Sequence, residues 1–312
     1  MDENLQFKKL EELLTNDDVP VLLIGYNRPD FLKDRVDELR KMPIKHLYIS
    51  IDGGLVSSTA EMVNAIEYAK NLSGNLATFN LDHYEENLGL VKHIHGAVTK
   101  VLDKFNYVII VEDDISLSTN FFVNMVNGFN LQRLQGVYGI IGGFSSINIR
   151  KLKIIRNKWR KSKYCSIWGW GCSRDIWRLY SYNLQGVNFK ASLSNSQTWK
   201  KLSYFQQTIW INRFIKAQNN PFSTWDIQLQ YWSFLNSLEN LYPVSSMVSN
   251  VGFNDFRSEH TKGLKPKWLS SKQGDNRLIS ISKLSTIAIK PMDFIDANTV
   301  AGDSKFNAWW NK

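Results

Sequence analysis

Apolar and polar positions alternate in blocks along the first 130 residues. Short apolar runs are followed by polar turns and then by apolar residues at helical spacing. The runs predict buried strands and the spaced positions predict amphipathic helices. The predicted strands cover residues 19–24, 46–51, 76–81 and 107–111, and the predicted helices cover 31–41, 59–72, a stretch that ends at 102 and a run after 118. Strands that alternate with helices predict an α/β fold with a mostly parallel, doubly wound sheet flanked by helices.

The second half of the chain has a less regular pattern. It predicts a strand over 137–144, a helix from Trp225-Asp226 and a late strand from Tyr242. We divide the chain into a helical lead-in, a first subdomain, a second and irregular subdomain of the same domain, and a basic tail, over residues 1–18, 19–145, 146–262 and 263–312 respectively.

Three carboxylates, Glu112, Asp113 and Asp114, follow the most apolar run directly. A strand that is apolar on both faces is a central strand, so these acids are expected at the carboxyl edge of the sheet, where ligands bind. Adjacent carboxylates repel one another unless a cation compensates them. Mg²⁺ or Mn²⁺, shared with substrate phosphates, is the most economical compensation. The alternative is that the acids cap the helix that starts after Ser118.

Two other predicted strands end in polar loops, Asn27-Arg28 and Asp52-Gly53. If the strands are parallel, these loops lie at the same sheet edge as the acids. No glycine-rich phosphate loop follows the first strand. A nucleotide at this edge would therefore be held by side chains and a metal.

Composition narrows the choice of partner. The formal net charge of +9 suits an anionic partner, and the 11 Trp suit a protein that stacks on sugar or base rings. Two Cys without metal-type spacing favour a reducing compartment. The acidic first residues and the lack of any apolar segment long enough to span a bilayer predict a cytoplasmic protein, either free or peripheral to a membrane.

Two segments of the second half have unusual composition. Residues 150–163 hold eight Lys or Arg and no acid, which predicts a segment that is mobile until it meets an anionic substrate. The tandem Trp-Gly pairs at 168–171 suit either a sugar-binding wall or a packed corner of the core.

Several segments, taken in order, resemble the GT-A (Rossmann-like) glycosyltransferases. They are Val-Pro-Val-Leu-Leu-Ile-Gly-Tyr-Asn-Arg-Pro, Ile-Asp-Gly-Gly, Val-Glu-Asp-Asp-Ile-x-x-Ser-x-x-Phe-Phe, Ile-Trp-Gly-Trp-Gly and Phe-x-x-Trp-Asp. The nearest resemblance is to the β-1,2-N-acetylglucosaminyltransferase I type and its bacterial relatives in surface-polysaccharide synthesis, over roughly residues 19–262. The basic segment 150–163 has no counterpart in that pattern.

The resemblance implies roles for individual residues. Arg28 and Asp52 match residues that grip the nucleotide, Glu112 matches a ribose contact, and Asp113 belongs with this donor-binding group. Asp114 matches the ligand of a Mn²⁺ or Mg²⁺ ion that bridges to the diphosphate. Asp226 matches the general base of an inverting transfer.

Three of the candidate residues, Asp226, His260 and Lys92, have competing interpretations. Asp226 could simply cap its helix, with Asp255 and Glu259 then the next candidates for the base. His260 is a further candidate for the metal or the diphosphate, although a lone His in a polar loop is commonly a surface residue. Lys92 is a candidate for the nucleotide site, although a solvated helix face explains it nearly as well.

These residues predict a metal-dependent glycosyltransferase, either a hexosyltransferase or an N-acetylhexosaminyltransferase. It would move a sugar from a nucleotide-diphosphate donor to a glycan or lipid-linked acceptor, with no nucleic-acid partner. One rival is a sugar-1-phosphate nucleotidyltransferase, which normally needs the glycine-rich loop that Gly25-Tyr26-Asn27-Arg28-Pro29 lacks. The other is a non-enzymatic binder of nucleic acid or another polyanion, for which three carboxylates would be a handicap.

Overall fold

The computed structural model describes residues 13–54, 59–71, 76–145, 158–253, 255–257 and 278–279, together with the backbone of 286–287. Most of the predicted N-terminal helix, residues 150–157 of the basic segment, Glu259, His260 and most of the tail lie outside the described residues.

The first half of the chain alternates strands and helices as the hydrophobic pattern predicts. Its elements are β1 (Val21–Gly25), α1 (Pro29–Arg40), β2 (His46–Ile51), α2 (Ala60–Lys70), β3 (Thr78–His83), α3 (Leu90–Leu102) and β4 (Tyr107–Glu112). The third strand begins and ends two residues later than predicted. Because β3 is an edge strand, its polar last residues can continue the ladder with β2 while their side chains remain partly exposed.

The second half contains short strands and a group of helices. Its elements are β5 (Ile115–Leu117), α4 (Phe121–Gln135), β6 (Ile141–Gly142), β7 (Trp159–Ser162), β8 (Trp170–Ser173), α5 (Arg174–Trp177), α6 (Phe189–Leu193), α7 (Gln197–Lys200), α8 (Tyr204–Asn219), α9 (Asp226–Leu235), β9 (Asn240–Pro243), β10 (Val248–Asn250) and β11 (Thr286–Ile287). The strand predicted over 137–144 is only the two residues of β6. The residues before it lie against the start of β9, where Glu239 donates its backbone N–H to the carbonyl of Tyr138 at 3.1 Å, but the N–H of Ile140 donates to the side chain of Asn240 at 2.9 Å and not to a ladder carbonyl.

The described strands form a nine-stranded sheet and a two-stranded sheet. The order of the large sheet is β11-β7-β9-β6-β8-β4-β1-β2-β3, and β10 pairs with β5 in the small one. Strands β4, β1, β2 and β3 are parallel, whereas β8 runs antiparallel to both β4 and β6. The predicted α/β class with a mostly parallel sheet is confirmed.

Both faces of the central strands are buried under helices. Leu23 and Val111 pack on the face that is covered by α1, α2 and α4. Leu22 and Ile110, one residue earlier in each strand, pack on the opposite face against α3 and α5. Because successive side chains in a strand point to opposite faces, helices on both sides require the continuous apolar runs seen in the sequence. A third cluster of mostly aromatic side chains forms among α6, α7, α8 and α9.

The described end of the basic segment is ordered, which corrects the prediction of mobility for that part. Residues 159–162 form β7 and pair with β9. Trp159 and Arg160 are buried, because the strand lies inside the sheet. Although the segment is rich in positive charge, the indole of Trp159 and the aliphatic part of the Arg160 side chain can therefore lie in the core.

Candidate active site

The ends of β1, β2 and β4 open into one cavity of about 580 Å³. The sequence predicts that the loops after these three strands share one sheet edge, and the structure brings them together. The cavity is lined by Arg28, Asp52, Glu112, Asp113 and Asp114 from these strand ends. The parallel register produces this arrangement, since Ile24 at the end of β1 is paired with Glu112 at the end of β4.

Arg28 compensates the charge of two of the three acids. Its Nη2 lies 2.6 Å from Oδ1 of Asp113, and its Nη1 lies 3.1 Å from Oδ2 of Asp114. The backbone N–H of Tyr26 also donates to Asp113, at 3.4 Å. A forked guanidinium can bind two carboxylates at once. Part of the compensation that the sequence analysis assigned to a metal is therefore supplied by the protein.

Glu112 forms no ion pair within the described residues, and the nearby charge of Arg28 offsets only part of the shift in its pKa. Burial raises the pKa of Glu112 well above its usual range, and the carboxylates of Asp114 and Asp113 raise it further. Its Oε1 is buried and has no hydrogen-bond partner within the described part of the chain. Burial also raises the pKa of Asp113 to about 7, although Arg28 opposes that shift. A cation bound at this strand end would favour the charged forms of these two carboxyl groups.

Asp52 holds a turn rather than presenting a free carboxylate. Its Oδ1 accepts from the backbone N–H of Leu88 at 2.8 Å, and its Oδ2 accepts from the backbone N–H of Gly89 at 3.1 Å. Oδ1 also accepts from the N–H of Gly53. These bonds fix the loop that leads into α3, where Gly89 has a φ of +78° that favours glycine. The geometry favours a positioning role for Asp52.

Asp226 lines the same cavity from a different element, helix α9. It is the first residue of α9, and the N-cap position is Trp225, whose side chain makes no capping bond. The hydroxyl of Thr224 donates to Oδ1 of Asp226. The charge of Asp226 also contributes to the raised pKa of Glu112, so the two carboxylates interact within the cavity that both line. The interpretation of Asp226 as a simple N-cap residue does not match this position.

The two Trp of the Trp-Gly pairs have different surroundings, one at the cavity and one in the core. Trp168 is partly exposed and lines the cavity, with Phe144 and Phe253 packed against it. Trp170 is fully buried and lies 5.2 Å from Trp225, measured between ring centroids. One Trp thus belongs to the cavity wall, and the other packs behind it in the core.

A late segment completes the cavity, and sequence reasoning missed most of it. Val251 donates its backbone N–H to the carbonyl of Asp114 at 2.8 Å. A Cβ at Gly252 would lie 2.6 Å from Oδ2 of Asp114, so only glycine fits against this carboxylate without displacement. Asn250 and Arg257 also line the cavity. The signal was weak because these residues lie in irregular chain more than 130 residues after the acids.

Arg257 ties this late segment to the start of α1. Its guanidinium lies 2.5 and 2.9 Å from the two carboxylate oxygens of Asp30, and its Nη2 lies 2.6 Å from Asp255. The hydrogen bond from Arg257 lowers the pKa of Asp255 to about 2, which makes Asp255 a poor general base. The guanidinium groups of Arg28 and Arg257 both approach the ring of Phe31, at 5.5 and 5.3 Å.

The basic residues of α3 differ in position. Lys92 is exposed and lies 5.2 Å from the ring centroid of Phe222, outside the cavity lining, so its predicted place in the nucleotide site does not match the structure. His93 is buried, lines the cavity and lies 2.8 Å from the hydroxyl of Ser50 through Nε2. Helical spacing explains the difference, since adjacent residues on a helix point about 100° apart.

The carboxylate oxygens at this edge of the sheet could hold a hard cation only together with a substrate that supplies further oxygen ligands. Within the described residues, no group of three or more His, Cys, Asp or Glu side chains is arranged to hold a metal ion. Asp114 and the buried Oε1 of Glu112 are carboxylate donors at the cavity. Mg²⁺ and Mn²⁺ sites commonly use one or two carboxylates and complete the shell with substrate phosphates and water. The residues fit that kind of site and do not form a preformed protein cage.

Comparison with known proteins gives distant structural likenesses. No protein-family model and no curated protein matches the chain. The mannosyltransferase PcManGT from Pyrobaculum calidifontis, in complex with GDP-Man and Mn²⁺, aligns with 12% identity and a TM-score of 0.40 over 75% of this chain and 76% of that chain. TarS 1-349 from S. aureus, in complex with UDP, aligns with 13% identity and a TM-score of 0.39 over 91% of this chain and 64% of that chain.

A UDP-glucose pyrophosphorylase complexed with UDP-glucose also aligns, with 9% identity and a TM-score of 0.38 over 75% of this chain and 93% of that chain. These likenesses are distant in both sequence and structure. The function of this chain is therefore argued from the geometry of its own site.

Proposed function

We propose that the protein is a glycosyltransferase that takes a sugar from a nucleotide-diphosphate donor. The observation that carries this proposal is that Asp114 and Asp226 line one cavity together with an aromatic wall. Asp114 follows the end of the central strand β4 and Asp226 begins helix α9, so carboxylates from two different elements are available, one for the donor diphosphate and one for the acceptor hydroxyl. The order of motifs that resembles GT-A glycosyltransferases supports the same assignment.

The charge of the cavity supports a metal requirement. Five carboxylates line it, and Arg28 is already paired with two of them. Arg257 is likewise paired, with Asp30 and Asp255. A diphosphate would be repelled by this site unless it entered with a cation. We assign Asp114 as the protein ligand of Mn²⁺ or Mg²⁺, assisted by Glu112; the predicted role of His260 as a further ligand stays a proposal.

When bound, such a cation would stabilise the negative charge of the departing diphosphate. The protein's own residues supply the rest of the reaction. Asp226 accepts the proton of the acceptor hydroxyl as that oxygen attacks the anomeric carbon. A single displacement from the side opposite the diphosphate inverts the anomeric configuration, as in inverting glycosidases. Thr224 orients the carboxylate of Asp226 through its hydrogen bond.

We propose that the aromatic wall of the cavity binds the sugar of the donor. Trp168 and Phe253 present flat apolar surface to the cavity. Such rings pack against the apolar face of a pyranose and exclude water that would otherwise hydrolyse the donor. We further propose a hexosyl or N-acetylhexosaminyl donor and a glycan or lipid-linked acceptor of surface polysaccharide or glycoconjugate synthesis, as the family resemblance implies.

Thermal unfolding in the presence of nucleotides and nucleotide sugars, with and without Mn²⁺, tests donor binding. A ligand that binds the folded state raises the melting temperature, and a shift that needs both Mn²⁺ and nucleotide is expected. Asp114→Ala should lose this shift, whereas Asp175→Asn, which changes a surface acid, should keep it. An unchanged shift in excess chelator would contradict the metal assignment.

The products of slow donor turnover distinguish the rival enzyme. A glycosyltransferase releases the nucleoside diphosphate, whereas a sugar-1-phosphate nucleotidyltransferase incubated with pyrophosphate releases the nucleoside triphosphate. Helix α1 begins only four residues after β1, which leaves little room for the longer phosphate loop of a nucleotidyltransferase. Accumulation of the triphosphate would therefore refute the proposed reaction.

A further inference from the structure

A segment of fifty residues carries positive charge and no acid at all. Between residues 176 and 225 there is no Asp or Glu, although the whole chain has 29 acids in 312 residues. The segment contains six cations: Arg178, Lys190, Lys200, Lys201, Arg213 and Lys216. It therefore holds a large part of the net charge of +9. A surface of one sign over so long a stretch creates a field that attracts an anionic partner.

This segment folds into the helical layer of α6, α7 and α8. Its inner side chains, among them Trp199, Trp210 and Phe214, form the third core cluster. Its lysines point outward, and none of Lys190, Lys200, Lys201 and Lys216 has an ion-pair partner within the described residues. Ion pairs within the described residues therefore do not neutralise the charge of these lysines.

Large apolar side chains stand beside these lysines. Tyr204 and Phe205, the first two residues of α8, are 86% and 58% exposed. Only two residues separate them from Lys200 and Lys201, and the second of these is Ser203, whose capping box starts the helix. Ile215, three turns later on α8, is 41% exposed. Exposed aromatic and aliphatic groups next to unpaired cations form a surface that is apolar and positive together.

We propose that this surface, made of Lys200, Lys201, Tyr204, Phe205 and Ile215 and here called the α8 surface, binds an anionic lipid bilayer. Lysines near an anionic leaflet are attracted to its headgroups, and aromatic side chains favour the boundary between headgroups and acyl chains. A lipid surface uses aliphatic Ile215 as well as the aromatic rings, whereas single-stranded nucleic acid would use only the rings. The proposed contact is one in which the α8 surface lies on the bilayer. No described helix is long and apolar enough to cross a membrane.

The acid-free segment is also continuous with the cavity. Phe222 is 51% exposed, and Ser223, Thr224 and Trp225 after it line the cavity. A membrane held at the α8 surface would be joined to the cavity by the same helical layer. This arrangement suits an acceptor that is carried on a lipid. The suggestion about the acceptor rests on the proposed function, whereas the proposal that the α8 surface binds vesicles does not depend on it.

Vesicle sedimentation with the full chain tests the proposal. Wild-type protein should sediment with vesicles of phosphatidylcholine mixed with phosphatidylglycerol, much less with phosphatidylcholine alone, and less as salt is added. Lys200→Gln with Lys201→Gln should lower the partition coefficient about 25-fold, because each lysine near an anionic surface contributes about fivefold. Tyr204→Ser with Phe205→Ser should also release the protein although it keeps every charge.

A charge-matched control separates this surface from net charge. Lys41→Gln with Lys45→Gln removes two exposed lysines between α1 and β2 and should leave vesicle binding within about twofold of wild type. Equal losses in both lysine pairs would overturn the proposal, as would absence of wild-type binding to anionic vesicles at low salt. Loss of single-stranded DNA binding in the α8 variants with vesicle binding unchanged would assign the surface to nucleic acid and overturn it as well.

Discussion

Removal of the Arg28 guanidinium is the most direct perturbation of the candidate site. In the variant Arg28→Met, the carboxylates of Asp113 and Asp114 lose their only described cationic partner, at 2.6 and 3.1 Å. The side chains of the two acids are only 3% and 12% exposed, so water cannot replace the arginine. Breaking one partner of a buried ion pair costs about 3–5 kcal/mol, because it leaves uncompensated buried charge.

Urea unfolding in the presence of chelator, followed by Trp fluorescence, measures this cost. With a slope of about 3 kcal/mol per M, the midpoint should fall by about 1–1.7 M. Arg28→Lys should fall by less than Arg28→Met, because lysine keeps the charge but cannot fork to both acids. Mn²⁺ should then raise the midpoint of Arg28→Met by more than that of wild type, since two carboxylates have been released for it.

The control for this experiment is an arginine in an exposed ion pair. Arg178 lies 3.6 Å from Asp175, and both side chains are mostly exposed. Because surface pairs contribute about 0–1 kcal/mol, Arg178→Met should shift the urea midpoint by at most about 0.3 M. If Arg28→Met shifts the midpoint no further than this control, the argument from charge compensation is wrong.

Four further changes test other parts of the site. Asp226→Asn should lower kcat about 10²–10⁴-fold and leave donor affinity unchanged, because the amide cannot accept a proton; near wild-type turnover would move the base elsewhere. Asp114→Ala should remove Mn²⁺-dependent nucleotide binding in calorimetry without unfolding the protein. Gly252→Ala should lower the free energy of unfolding in urea by about 1–3 kcal/mol and weaken nucleotide binding, because the new Cβ would lie 2.6 Å from a carboxylate oxygen of Asp114. The control is Gly96→Ala, which should stabilise the protein because Gly96 lies in a helix with open space around it. Arg257→Met should lower stability at pH 7, and the loss should shrink as the pH falls from 4 towards 2, where partner carboxylates with depressed pKa values take up protons.

The parts of the fold that could be predicted are those in which local pattern and tertiary role agree. Continuous apolar runs such as 107–111 are buried on both faces, and they became central strands within two residues of the predicted bounds. The parallel arrangement of these strands then required the polar residues at their ends to share one edge. Arg28, Asp52, Glu112, Asp113 and Asp114 were therefore found from the sequence without knowledge of any contact.

The remaining features depend on contacts between residues far apart in the chain. The two-residue strand β6 carries no periodicity of its own and exists because β8 and β9 flank it. Asn250 and Arg257 reach the cavity through the pairing of β10 with β5, which a local pattern cannot reveal. Lys92 and His93 are adjacent, and only the packed helix decides which of them faces the cavity.

The antiparallel strand β8 has a consequence for how the chain folds as it is made. Strands β1 to β4 and their helices are local in sequence, so they can assemble early during synthesis. One edge of β4 must then stay open until β8 arrives, because β4 pairs with β8 on that side. At about 5–20 residues per second, the roughly 60 residues between Glu112 and Trp170 take about 3–12 seconds to emerge. During that interval the most apolar strand of the protein has an unpaired edge, which makes the nascent chain a natural client for a chaperone.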